Sequence, residues 1–255
     1  EEIRNMRKWS FILIFIMLAA QQIWAAAGKA EADQAYQAND YAKAIQLYEE
    51  ILNTQGESAD IYYNLGNSYY KEKNVAKAVL NYERALLLSP GDADIRFNLE
   101  MARAKSVDQI TPTSEVFIVT WIKALTNSCS EKEWSVIGIM AFFLLLAGLA
   151  VYIFGSRVVI RKIGFIGAVV FLIVTVFANL FAAEQKEKLT ERTGAIVMSP
   201  SITVKSTPDE SGTDLFVIHE GTKVYIDDNS MESWKEIRLE DGKKGWLPAN
   251  AIEKI

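Results

Sequence analysis

Residues 136–154 and residues 163–183 of this chain carry no charged residue at all. The first has 19 residues, about 28 Å of α-helix, which matches a hydrocarbon core of about 30 Å. One such run alone is also compatible with a buried core helix, but two side by side point to a membrane hairpin. Residues 155–162 between them hold Arg157, Arg161 and Lys162 and no acid. The positive-inside rule therefore predicts a cytoplasmic loop and two hairpin ends on the opposite side. The outer flanks mix both signs, and Trp134 stands at the first boundary as an interfacial aromatic should. No acid, Lys or His lies inside either run, so no ion or proton path is indicated. Asn179 is the strongly polar residue of the second run and reads as helix–helix glue.

Composition then excludes several classes. Of 255 residues 50% are hydrophobic and 23% charged, which is a membrane segment averaged with polar modules. The net charge of -5 argues against nucleic-acid binding, which needs a basic face. With one Cys (Cys129) and one His (His219), most metal sites and Cys–His or Ser–His–Asp catalysis fall away, and no disulfide can form within the chain. No glycine-rich phosphate loop is present, so no cofactor and no enzymatic activity are expected. Met6-Arg7-Lys8, the apolar run 11–20 and Ala25-Ala26-Ala27 predict a signal peptide over residues 6–27, or an uncleaved anchor; either would carry the adjoining repeat segment out of the cytoplasm.

Residues 28–105 contain an internal repeat. Ala59-Asp60-Ile61-Tyr62-Tyr63-Asn64-Leu65 returns as Ala93-Asp94-Ile95-Arg96-Phe97-Asn98-Leu99, and Tyr48-Glu49 returns as Tyr82-Glu83, both at an offset of 34 residues. Tyr62, Leu65, Gly66, Tyr69, Ala78, Tyr82, Ala85 and Pro90 resemble the tetratricopeptide repeat. Gly66 is small where two antiparallel helices meet, and Ala78 is the expected partner of that approach. The resemblance implies about two and a half repeats, fewer than the usual three, so the array should lean on a partner or on the membrane. It also implies a concave groove for extended peptides or helices, lined by Lys29, Asp33, Tyr36, Asp60, Tyr63, Asn67, Tyr70, Phe97 and Met101. Each of these reads equally as a solvent-facing residue. Asp94 occupies a position where a carboxylate clamp needs a cation, so capture of a free C-terminus is not expected. Asn64 and Asn98 are expected only to bond the backbone.

Residues 106–135 form a linker with a short apolar segment near 116–125. At about ten residues it is too short to span, and suits the membrane interface or packing on the repeats. From residue 193 to 255 the period changes to two. Six β-prone runs, at 196–198, 201–205, 214–218, 222–226, 234–239 and 244–247, predict a small barrel. Leu215-Phe216-Val217-Ile218, Gly221-Thr222-Lys223-Val224 and Gly245-Trp246-Leu247 resemble the bacterial SH3-like domain. That resemblance implies a ligand face at Phe216, Tyr225 and Trp234, with cell-wall peptide or protein as ligand; core packing is the other reading, preferred for Trp246 and Val224. His219 has no evident partner and is expected to be solvated.

The order of modules, with Lys29-Ala30-Glu31-Ala32-Asp33, Lys162-Ile163-Gly164-Phe165 and Thr213-Asp214-Leu215-Phe216, resembles the BatE proteins of bacterial aerotolerance operons. The expected fold is thus a multi-module membrane protein: all-α tetratricopeptide repeats, two transmembrane helices (136–183) and an SH3-like β-barrel. The resemblance implies an inner-membrane protein with periplasmic modules, linked to aerotolerance or envelope stress, with von Willebrand A domain membrane proteins as partners. Two functions are expected on this basis: a membrane-tethered adaptor, or a sensor of peptidoglycan-type ligands.

Overall fold

The structure, a computed structural model, describes residues 28–111 and 116–255. The expected signal peptide at 6–27 lies outside the described residues, as do residues 112–115 of the linker.

Five helices form the N-terminal array: α1 over 28–37, α2 (Tyr41–Gln55), α3 (Ala59–Lys71), α4 (Val75–Leu88) and α5 (Ala93–Arg103). The turns repeat as the sequence does. Asn39 and Lys73 adopt positive φ, at 62° and 63°, one residue before the next helix cap. Asp40 then accepts from the backbone N–H of Lys43, and Asn74 from that of Lys77. Each cap satisfies a donor that the helix itself leaves open. Asp92 caps α5 in the same way. Ala44, Tyr48, Leu65, Ala78, Val79 and Tyr82 form the buried seam between the helices.

Gly66 is buried at a close approach, but its neighbour is not Ala78. A Cβ on Gly66 would lie 2.7 Å from both Cδ1 and Cε1 of Tyr82. The expectation of a tight helix crossing holds; the large ring, not the small residue, sets it.

Helix α6 (Phe117–Thr126) leads to α7 (Glu131–Phe154) and α8 (Val158–Glu191). Both α7 and α8 are long and apolar enough to cross a membrane, and only 11% and 17% of their most apolar windows are buried within the protein. The core helix of a soluble domain would be mostly buried, so these are not core helices. They meet through small residues. A Cβ on Gly148 would come within 3.0 Å of the Ala168 backbone N, and one on Gly164 within 2.6 Å of Tyr152 N. Asn179 packs against Gly138 of α7, but its hydrogen bond stays on its own helix: its amide donates to Thr175 O, 2.8 Å away. The connection is also shorter than expected. Only residues 155–157 are outside the helices, because Val158-Val159-Ile160 is helix-compatible and carries Arg161 and Lys162 into the first turns of α8.

The C-terminal module has seven strands: β1 (Gly194–Val197), β2 (Ser201–Lys205), β3 (Asp214–His219), β4 (Lys223–Asp228), β5 (Trp234–Arg238), β6 (Lys244–Pro248) and β7 (Ile252–Lys254). Their order is β3-β2-β6-β5-β4-β1-β7, so β3 and β7 are two unjoined edges. The sheet is open, and the expected SH3-like barrel is not formed. Alternation of side chains shows which residues form strands, but not which edges meet. Here β7, three residues long and not foreseen, folds back on β1. Its outer edge is met by the helices: Arg84 donates to Lys254 O at 2.6 Å. The β3 edge is met by the linker, where Asp108 accepts from the His219 backbone N–H at 2.6 Å.

Strand β1 joins the two cores. Ala195 and Val197 point into the cluster of Val204, Val224, Ile237 and Leu247 inside the sheet. Ile196, between them, points the other way and belongs with Ile255 to the helical core. The short array does lean on something: the β module of its own chain.

Candidate partner-binding groove

The first helices of the successive units, α1, α3 and α5, present their inner faces to one concavity of about 300 Å³. Tyr36, Tyr63, Asn67, Tyr70 and Met101 line it, all of them expected groove residues. Lys71, Tyr82 and Asn98 also line it and were missed. Tyr82 reaches through from α4 and donates to Asn67 Oδ1 at 2.7 Å. Asn98 donates to the same oxygen at 3.0 Å and to the Tyr63 hydroxyl at 2.8 Å. Asn98 therefore bonds side chains across the groove, contrary to the expected backbone role. Lys105 sits over the Tyr70 ring, 4.7 Å from its centroid.

The Tyr82–Asn67 contact has a counterpart one repeat earlier, where Tyr48 donates to Asp33 Oδ1 at 2.6 Å. Both struts join a second-helix Tyr to a polar residue 15 positions before it. That spacing was legible. It also decides what Asp33 does: it holds Tyr48 and pairs with Lys29 at 3.1 Å. Lys29 reaches Asp60 as well, at 3.4 Å. Burial tends to lower the Lys29 pKa, but the two carboxylates outweigh it and hold the value above the ordinary one. Thus Lys29, Asp33 and Asp60 form an internally paired cluster beside the concavity rather than its floor. Phe97 projects from α5 with 62% of its surface exposed, and Met101 with 46%.

The groove offers aromatic rings, amides and hydroxyls. Burial keeps the Tyr36 and Tyr82 hydroxyls protonated well beyond neutral pH, by raising their pKa values. They are therefore neutral hydrogen-bonding groups, suited to peptide backbone and apolar side chains.

The three residues of the expected ligand face of the β module do not all share one side of the sheet. Phe216 packs against the buried sheet cluster. Tyr225 is on the other face, between Lys223 and Arg238, whose charges lie 5.5 and 5.2 Å from its ring centroid. Trp234 opens β5, opposite Pro248. Val224 is fully buried, as preferred, and Trp246 half-buried.

Behind the groove, the helices and the sheet are locked by charge. Glu83 on α4 is buried, with only 5% of it exposed. Its carboxylate meets Lys223 at 2.7 Å and Arg103 at 2.5 Å, and Arg103 also reaches Glu240. Burial pushes the Glu83 pKa up, yet the two cations outweigh it and bring the value below the ordinary carboxylate range. Beside it, Asp108 accepts from the backbone N–H of His219 and from the Thr222 hydroxyl, and meets His219 Nδ1 at 2.9 Å. His219 is therefore partnered, not merely solvated.

Residues 59–92 match the tetratricopeptide repeat family. The match covers α3, α4 and the turn into α5. No curated protein matches the chain. The wider resemblance to the BatE proteins is accordingly not upheld: the finding supports the repeat alone, and the open sheet removes the SH3-like module on which that resemblance rested. The aerotolerance role implied by it goes with it. Tetratricopeptide repeats are non-catalytic scaffolds. Among the described residues, no group of three or more His, Cys, Asp and Glu is placed to hold a metal ion.

Proposed function

We propose that this chain is a membrane-tethered scaffold that holds a partner polypeptide in its tetratricopeptide groove. One observation carries the reading. The sheet docks on α4, behind the array, and leaves the concavity of Tyr36, Tyr63, Asn67, Tyr70 and Met101 open, with Phe97 exposed on α5. Large exposed aromatics around an open groove are the usual anchors of an interface. Phe97→Ala with Met101→Ala removes exposed side chains and should leave helicity unchanged. Co-purification of partners from solubilised membranes should drop at least tenfold, the effect of about 1.4 kcal/mol. Unchanged capture by the folded variant would reject the groove as the binding face.

The same reading places α7 and α8 across a bilayer, with the basic end of the hairpin toward the cytoplasm. Both modules then lie on the opposite face, and α6 lies along the membrane surface. Supporting this, Phe117, Ile118 and Trp121 are exposed rather than packed on the repeats. Meanwhile α6 is pinned to the base of the hairpin: Trp134 Nε1 and Gln185 Nε2 both donate to Thr126 O, at 2.9 and 2.8 Å. Alkaline phosphatase fused after Lys254 should be active and fused at Ser156 inactive; the reverse pattern rejects this topology. The groove supports the scaffold reading over the sensor alternative, since Phe216 and Tyr225 lie on opposite faces of the sheet.

A further inference from the structure

The closed end of the hairpin holds a second feature that the groove does not use. Tyr152 from α7 and Val158, Phe165 and Ile166 from α8 line an apolar cleft of about 430 Å³, with Arg161 and Lys162 at its edge. The cleft is braced. The Tyr152 and Phe165 rings pack at 5.7 Å between centroids. Arg161 donates from Nε to Tyr152 O at 3.2 Å and lies 5.4 Å from the centre of the Tyr152 ring. Residues 155–162 contain no acid, and among the described residues no carboxylate pairs with Arg157, Arg161 or Lys162.

From this geometry we infer that the hairpin end is a binding site for an anionic phospholipid. The phosphate sits against Arg161 and Lys162, and an acyl chain lies in the cleft along Phe165 and Ile166. Two observations select this occupant. Unneutralised cations beside an apolar slot match the two halves of such a lipid, and favour it over a zwitterionic one that brings no net negative charge. The slot also shares Phe165 with the exposed apolar surface of the hairpin, where Phe154 and Ile163 are likewise open. The inference rests on the reading that the hairpin spans a bilayer, and its test separates the two.

The full chain is placed in nanodiscs of mixed phosphatidylglycerol and phosphatidylcholine, released into detergent, and the retained lipids are weighed by native mass spectrometry. Phosphatidylglycerol should be enriched over its share in the disc. Arg161→Gln with Lys162→Gln should reduce that enrichment about fivefold per cation removed. Ile166→Trp keeps every charge but fills the slot, and should lose the enrichment too. Resistance of each variant to carbonate extraction checks insertion independently. Equal retention of both lipids, or enrichment unaffected by either variant in inserted protein, overturns the site. If the wild-type chain is itself extracted by carbonate, the spanning reading fails, and the site fails with it.

Discussion

Among the described residues, the repeat–sheet junction and the α7–α8 junction are built on opposite principles. Where the repeats meet the sheet, the contact is apolar at Ile196 and Ile255 and charged at Glu83, Lys223 and Arg103. Where α7 meets α8, the close approach is made by Gly138, Ala141, Gly148, Gly164, Ala168 and Ala178, with aromatic pairs at its two ends and no ion pair among the described residues. In water, burying apolar surface drives association, and buried charges fix the register at some cost. In lipid, apolar burial offers no gain, so close backbone approach through small residues takes over. Each junction is what its proposed solvent permits.

The first junction should break most severely. Glu83→Ala leaves Lys223 without a carboxylate and Arg103 with Glu240 alone, and should cost about 3–5 kcal/mol of docking. Thermal unfolding of the solubilised chain and hydrogen exchange at β1 would show it. Glu83→Leu with Lys223→Met replaces the pair by apolar groups and should be neutral or stabilising; a large loss would mean that the charges, not the apolar seam, hold the junction. Acid gives the same contrast. The Glu83 and Asp108 pKa values are lowered, in each case because ion pairing or hydrogen bonding outweighs burial. A lowered value stabilises the fold above the unfolded pKa, ~4.3 for Glu and ~3.9 for Asp, and the gain is lost as pH falls through the folded value. Docking should therefore weaken below about pH 4 while the hairpin contact does not change.

The hairpin should break by volume alone. Gly164→Leu drives a side chain into Tyr152 N and Gly148 O, which are backbone atoms and cannot turn aside. A loss of about 1–3 kcal/mol is expected, unaffected by salt, and measurable as a lower thermal midpoint in detergent. Gly66→Ala tests whether the water-facing array follows the same rule. There the obstacle is the Tyr82 ring, itself held by Asn67. Overpacking should exceed the helix-propensity gain of about 1 kcal/mol, leaving a net loss of about 1–2 kcal/mol. Smallest of all should be Arg192→Ala. It breaks the half-exposed pair with Glu57, and the urea midpoint should move by no more than about 1 kcal/mol implies.

Period and spacing made the elements legible: the 34-residue repeat, the two uncharged runs and six of the seven strands were visible as patterns. The long-range pairing was not. Tyr48-Glu49 and Tyr82-Glu83 are the same letters at equivalent repeat positions. Yet Glu49 accepts from the Tyr69 hydroxyl within the array, whereas Glu83 is buried against Lys223, 140 residues away. Nothing local distinguishes the two, because the difference is supplied by the sheet that covers one and not the other. The same holds for His219 and Asp108, which lie 111 residues apart. Barrel closure failed for a related reason, since strand periodicity carries no information about which edge is left for a helix or a linker to meet. The groove was legible in part: helix phase places Tyr36, Tyr63, Asn67, Tyr70 and Met101 on it. Lys71, Tyr82 and Asn98 also enter it, whereas Lys29, Asp33 and Asp60 pair with one another beside it, because side-chain pairing is not set by phase.

Helix α8 runs without a break for 34 residues, from Val158 to Glu191, and β1 begins three residues after its end. With its apolar part in a bilayer, the last two turns would form a stiff post of about 12 Å beyond it, braced by the end of α6 through Gln185 and Lys188. On the proposed topology the groove would be held at a set height and orientation above the lipid surface. A partner anchored in the same membrane would search for it in two dimensions, with its binding segment confined to a thin layer. Selection would then depend on stature as well as on sequence: a segment held at the wrong distance from the bilayer could not engage, however well its side chains fitted.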